Sequence, residues 1–298
     1  TAALIRLVQQ GDLRNSIAWC HDFSWTSPNS RKKVFPGYPW DLLRTYVPGI
    51  TYITVSESRR AELADLFQIS DDLIRVIYNG VNAKQILCLS EAGSDLIERL
   101  GIFESDLALL MPVRLTRAKN VEFALRVAAA IKKRGTKLRM ILTGPPDPHD
   151  VQRLGYYESI KDLRQSLGVE TEMRFVYESG PKGEGYIIDS DIVAELYRVS
   201  DAILMPSLRE GFGIPVLEAG LVSIPVFSTA FPAAAEIGKE DLFLIAEEES
   251  PEETASRILA WAENDPRQRL RRRVRQEYTW KKIFEQDIQP LLDDDNSR

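Results

Sequence analysis

Short apolar runs alternate with helix-period stretches along most of this chain, and that rhythm leaves few architectures open. The runs at 16–20, 51–55, 75–77, 107–113, 137–143, 172–176, 202–205, 224–228 and 242–245 are bounded by turn residues. Unbroken apolarity over so few residues suits strands buried on both faces, as in parallel sheets. Between them, 57–67, 120–134, 156–167, 192–199 and 252–262 repeat apolar side chains at helical spacing. Strand–helix alternation predicts doubly wound α/β sheets with right-handed crossovers. A turn signal at Tyr78-Asn79-Gly80, then a loosely patterned stretch up to Gly101, marks a boundary. Two α/β domains are therefore expected, 1–82 and 83–265, followed by charged helices over 266–298 that cross back toward the first. The chain opens on a helical pattern (Leu4, Leu7, Val8), so the first domain is read as incomplete. The acidic end from Asp293 to Arg298 is expected to fray.

Composition narrows the function classes. A net charge of −6 argues against a general nucleic-acid binder. Only two cysteines occur, Cys20 and Cys88, far apart and in apolar surroundings, so a disulfide framework is not expected. No stretch is apolar for the ~20 residues a membrane helix needs, and no secretory signal is recognised. A reducing, cytoplasmic setting is the expectation.

The stretch richest in chemistry runs from Pro206 to Ala219, directly after the apolar run 202–205. It is a loop at the carboxyl end of a strand leading into a helix, where open α/β sheets bind ligands. Gly211 and Gly213 allow close backbone approach and expose N–H groups. Pro215 suits the first helical turn, and the helix N-terminus offers unpaired N–H groups and partial positive charge, a setting for phosphate. Glu210 and Glu218 flank this site eight residues apart; carboxylates accept from hydroxyls, so each could grip a sugar ring. A second strand–loop–helix junction places Arg114 at a strand end and Lys119 before the next helix, cations suited to a diphosphate leaving group. His21 ends the first apolar run, whereas His149, in a Pro-rich loop, is expected to be solvated.

The stretch from Glu210 to Glu218, with Gly-Phe-Gly at its centre, resembles the Glu-x7-Glu motif of family 4 (group 1) retaining glycosyltransferases, whose GT-B fold pairs two Rossmann-like domains. The Arg114…Lys119 junction looks like that family's diphosphate clamp. Residues 76–81 resemble its inter-domain segment, and 17–22 the strand that ends in its active-site histidine. The resemblance spans about residues 15 to 285. It implies a hexosyltransferase using a nucleoside-diphosphate sugar, UDP-glucose by default, with no cofactor and no metal. Glu210 would contact hydroxyls of the transferred sugar. Gly211, Phe212, Gly213 and Ile214 would face the sugar and phosphate, the glycines and Phe212 through backbone amides. Glu218 would hold the ribose, Arg114 and Lys119 would stabilise the departing diphosphate, and His21 would reach the donor from the other domain. The acceptor stays unidentified. A nucleotide-sugar epimerase or a non-catalytic donor-binding fragment remains the alternative.

The chain departs from the family pattern in places, and the family's Gly-rich loop, early in its first domain, is not recognised in this sequence. Asn120 and Ser223 stand where glycine is usual, and the Ala-rich 229–236 replaces a Gly-Gly loop. Asp189-Ser190-Asp191 imitates a metal-binding Asp-x-Asp but precedes a helical pattern, so a helix cap is expected. Arg267, Arg269, Arg271, Arg272, Arg273 and Arg275 could touch an anionic membrane surface, but are read as a solvated helix face.

Overall fold

The structure, a computed structural model, describes residues 2–146, 153–180 and 185–295. Its contacts divide the chain into two compact units, Thr1–Val81 with Glu277–Arg298, and Asn82–Gln276. His149 lies outside the described residues, as do Thr1 and the last three positions of the acidic end; Asp293 to Asp295 close a helix, Gln289–Asp295.

The first unit carries helix α1 (Ala2–Gln10), strands β1 (Ser16–Cys20) and β2 (Ile50–Thr54), helix α2 (Glu57–Phe67) and strand β3 (Ile74–Val76). The strands form a parallel sheet in the order β1-β2-β3. Ser56 starts α2 by accepting from the Arg59 N–H at 3.2 Å, and Gln68 ends it in the left-handed region. The far end of the chain adds to this unit: Ile283 and Leu291 pack on Ile53 and Ile77, and Thr279 bridges to Val81. A side chain at Gly80 would collide with the Trp280 backbone, so glycine there admits the returning segment.

The second unit runs α3 (Ala83–Ile86), α4 (Glu91–Leu100), β4 (Leu107–Met111), α5 (Val121–Lys133), β5 (Leu138–Leu142), α6 (Arg153–Ser166), β6 (Met173–Phe175), α7 (Ser190–Val199), β7 (Ala202–Met205), α8 (Ile214–Leu221), β8 (Val226–Thr229), α9 (Pro232–Gly238), β9 (Phe243–Ile245), α10 (Pro251–Asn264) and α11 (Pro266–Glu277). Its six strands are all parallel, in the order β6-β5-β4-β7-β8-β9. β4 shows why the run is uninterrupted. Leu107, Leu109 and Met111 join the layer of α5, α6 and α10, while Ala108 and Leu110 join the layer of α4, α7 and α8, because successive strand side chains face opposite ways. The order reverses between β4 and β7, and such a switch point opens a crevice at the carboxyl ends of the strands.

Three readings change. The stretch up to Gly101 is not loose: Leu96, Ile97 and Leu100 of α4 are buried, and Ser90 caps that helix through the Gly93 N–H at 3.0 Å. Its polar residues disguise the stripe. Cys88 is exposed on a turn rather than set in apolar surroundings, and both cysteines are free. The third concerns the arginines. Arg275 is buried and pairs with Asp201 at 3.0 Å, with 4% and 0% of the two side chains exposed. Arg271 reaches the same carboxylate at 3.4 Å, Arg272 pairs with Glu263 at 2.7 Å, and Arg269 donates to the Glu263 and Asn264 carbonyls. Only Arg273, of the six, has no partner among the described residues. The cluster clasps α11 to the rear of the sheet, because a carboxylate buried beside β7 needs cations around it. No helix among the described residues is long and apolar enough to cross a membrane.

Asn120 and Ser223 adopt φ of 50° and 59°, so both keep the left-handed geometry that glycine adopts without strain. Asparagine tolerates it better than serine. Ser223→Gly is expected to raise stability by about 0.5–1 kcal/mol, the relief of strain exceeding the added freedom of the unfolded chain. The midpoint of urea unfolding measures it; an unchanged or lower midpoint contradicts the strain.

Asp265 starts α11, accepting from the Arg267 N–H at 2.8 Å and pairing with its guanidinium. The hydrogen bonds it accepts from the Arg267 guanidinium pull its pKa down from 3.8 to about 2. The folded chain therefore binds fewer protons here than the unfolded chain between these values. This share of stability is present above pH about 4 and is lost as pH falls toward about 2. Asp265→Asn is expected to flatten stability against pH in that window, read from acid unfolding curves.

Candidate functional site

Two loops leave the sheet at its switch point. The loop after β4 carries Arg114 and Lys119, and the loop after β7 carries Glu210 to Gly213. β4 ends at Met111, so Arg114 lies in the loop, three residues beyond the strand that was expected to end in it. The two loops are joined through their backbones: the Leu208 N–H donates to the Ala118 carbonyl at 2.9 Å. Behind them, the Gly144 N–H donates to the Val113 carbonyl at 3.0 Å, and a side chain at Gly144 would collide with the Arg114 backbone. Glycine there lets the loop after β5 support the loop after β4.

The side chains converge as well. Lys119 Nζ donates to Glu210 Oε2 at 2.6 Å, with 20% and 9% of the two side chains exposed. Buried Ser207 donates its hydroxyl to Glu210 Oε1 at 2.7 Å. The Thr229 hydroxyl in turn donates to the Ser207 carbonyl at 2.6 Å, tying β8 to the loop. Glu210 is thus held from both oxygens by a cation and a hydroxyl. Of the other cations nearby, Arg117 sits over the Tyr156 ring at 4.6 Å. Arg114 is exposed and has no partner among the described residues.

Gly213 sits at φ 89° as the residue before α8, and a side chain there would collide with the Phe231 ring. Its conformation turns the loop into the helix. Gly211 has open space around it, so no neighbour among the described residues demands glycine at that position. The N–H groups of Gly211, Phe212 and Gly213 have no acceptor among the described residues. Phe212 and Ile214 are exposed. Together with the N-terminus of α8 this surface suits an anion.

Glu218 lies on the second turn of α8. Its Oε2 accepts from the Tyr197 hydroxyl at 2.5 Å, and burial together with that carboxylate pushes the Tyr197 pKa well above the usual phenol value. Asp189 is a helix cap, accepting from the Ile192 N–H at 2.9 Å at the start of α7. Eight of the nine site residues expected from sequence lie in this second unit; His21 is exposed at the end of β1 in the first. Sequence reasoning missed Ser207, Tyr197 and Thr229. Ser207 stands three residues before Glu210 and could have been found as the first polar residue of the loop, while Tyr197 resembles any apolar position of an amphipathic helix.

A Rossmann-type parallel sheet, with cations and carboxylates gathered over its switch point, is the framework of a nucleotide-binding domain. Residues 94–278 match the family model described as glycosyl transferases group 1, and the chain belongs to that family. Among curated relatives, it is 28% identical over 204 residues to an uncharacterized glycosyltransferase of Methanocaldococcus jannaschii, covering 68% of this chain and 47% of that protein. It is 25% identical over 231 residues to the mannosylglucosylglycerate synthase of Petrotoga mobilis, covering 71% of this chain and 51% of that protein. The chain thus spans about half the length of these relatives. Among solved structures, HepE of Anabaena in complex with UDP aligns at a TM-score of 0.49 and 19% identity, over 98% of this chain and 76% of that one.

Proposed function

We propose that this chain is the donor-binding part of a retaining, family 4-like hexosyltransferase of GT-B architecture that takes its sugar from a nucleoside diphosphate. The observation that carries the reading is the convergence of Lys119 and Glu210 beside the N-terminus of α8, over the switch point of the sheet. The diphosphate would lie against the free N–H groups of Gly211 to Gly213, with Ile214 opening the helix beside it. Arg114 and Lys119 would neutralise the leaving group. Glu210 would take hydroxyls of the transferred sugar, Glu218 the ribose hydroxyls, and His21 would contact the donor sugar. The bond from the anomeric carbon to the diphosphate breaks as the acceptor hydroxyl oxygen bonds to that carbon, and the acceptor's proton leaves with the diphosphate. Electrostatic stabilisation of the leaving group supplies most of the acceleration, with little acid–base work by side chains. UDP-glucose is the donor we favour, and the cytoplasm the compartment; the reaction needs no cofactor or metal in this reading.

Calorimetric titration of UDP, GDP and ADP, with and without their sugars, into wild type and Glu218→Ala tests this. Binding of one nucleotide, weakened about tenfold or more by loss of hydrogen bonds to a charged group, is the expected result. No binding by any of them removes the donor site from this chain.

A further inference from the structure

The Tyr197–Glu218 pair carries more than packing. Tyr197 is 2% exposed and anchored in the layer of Leu96, Leu196 and Val216, whereas Glu218 is exposed on α8. A buried phenol needs an acceptor, but a backbone carbonyl would satisfy it. Here it instead holds one oxygen of an exposed carboxylate at 2.5 Å. Glu218 Oε1 has no donor among the described residues. The arrangement is an exposed carboxylate with one oxygen held by the protein and the other without a donor among the described residues. A free glutamate side chain samples many rotamers, and ordering it on binding costs conformational entropy. A rigid aromatic donor removes that cost beforehand.

Resting on the donor-site reading above, we infer that Tyr197 is the positioning residue that aims Glu218 at the ribose diol, and so sets the preference for ribonucleotides over deoxyribonucleotides. The hydroxyl of Tyr197 leaves Oε1 as the acceptor for one ribose hydroxyl and the second lone pair of Oε2 for its neighbour. The strongly raised pKa of Tyr197 keeps the phenol a donor across the working pH range. Its ring does not touch the nucleotide; it acts through Glu218.

The test uses wild type, Tyr197→Phe and Glu218→Gln. UDP, GDP and ADP are titrated by calorimetry, each beside its 2′-deoxy and 3′-deoxy counterparts. Wild type should favour the ribo form of the nucleotide it binds by about tenfold or more, the worth of a hydrogen bond to a charged group. Tyr197→Phe, which keeps the buried ring, should weaken the ribo form about three- to tenfold. It should leave both deoxy forms within about twofold, so that the preference shrinks. Glu218→Gln should shrink it further. Equal weakening of ribo and deoxy forms in Tyr197→Phe means a role in packing alone and overturns the inference. So does a preference left intact in Tyr197→Phe but lost in Glu218→Gln, while the donor-site reading survives. A preference left intact in Glu218→Gln, or no nucleotide bound by wild type, overturns that reading and this inference together.

Discussion

Replacing Asp201 by alanine lowers the unfolding free energy of the 82–276 unit by about 3–5 kcal/mol, the usual cost of stranding a buried charge. Asp201 has no exposed side-chain area and Arg275 has 4%. The carboxylate also accepts from the Ala108 N–H at 2.8 Å, and its own N–H donates to the Ala108 carbonyl at 2.8 Å. One side chain therefore joins the start of β7, the central strand β4 and α11. Without it the Arg275 guanidinium is left to the Asp106 carbonyl, 3.2 Å away. Arg267→Ala is the control, since that side chain is 80% exposed and an exposed pair contributes about 1 kcal/mol or less. Urea unfolding of the two variants measures both. A loss below about 1 kcal/mol in Asp201→Ala would mean that the guanidinium finds water when its partner is gone.

Sequence made the sheet legible because parallel strands buried on both faces need unbroken apolar runs, and β4, with Leu107 to Met111 wholly buried, is the clearest of them. It made the geometry of the candidate loop legible because a helix N-terminus over a switch point has few solutions: Gly213 takes positive φ, and the amides of Gly211 to Gly213 have no acceptor among the described residues. What sequence hid were side chains whose roles are set by distant partners. Arg275 looks like one cation in a charged helix until Asp201, 74 residues earlier, is seen beside it. Tyr197 looks like a core residue until its hydroxyl is traced to Glu218 on another helix. Gly93 carries no visible signal at all, yet a side chain there would run into the Glu195 carboxylate of α7. Glu195 in turn accepts from the Ser90 N–H at 3.0 Å, at the start of α4. Periodicity reports which face of an element is buried, but not which polar atom of one element answers another.

Lys119→Met is expected to slow turnover by about a hundredfold or more, or about 2.7 kcal/mol of barrier, the worth of one aimed electrostatic stabiliser. On the proposed function, turnover is measured as release of nucleoside diphosphate from a sugar nucleotide. Two routes lead to such a loss. Lys119 could act on the diphosphate itself, or only hold Glu210, to which it donates at 2.6 Å. A double-mutant cycle separates them. If Lys119 only holds Glu210, Lys119→Met with Glu210→Gln is no slower than Glu210→Gln alone. If it also meets the diphosphate, as proposed here, the double variant is slower still. Arg114→Ala gives the cleaner comparison. That side chain is exposed and has no partner among the described residues, so its removal should leave unfolding within about 0.5 kcal/mol of wild type. Its whole effect should then appear in turnover, again about a hundredfold. Unchanged turnover in Arg114→Ala would take that residue out of the proposed clamp and leave the charge on the departing diphosphate to Lys119 and the amides of Gly211 to Gly213.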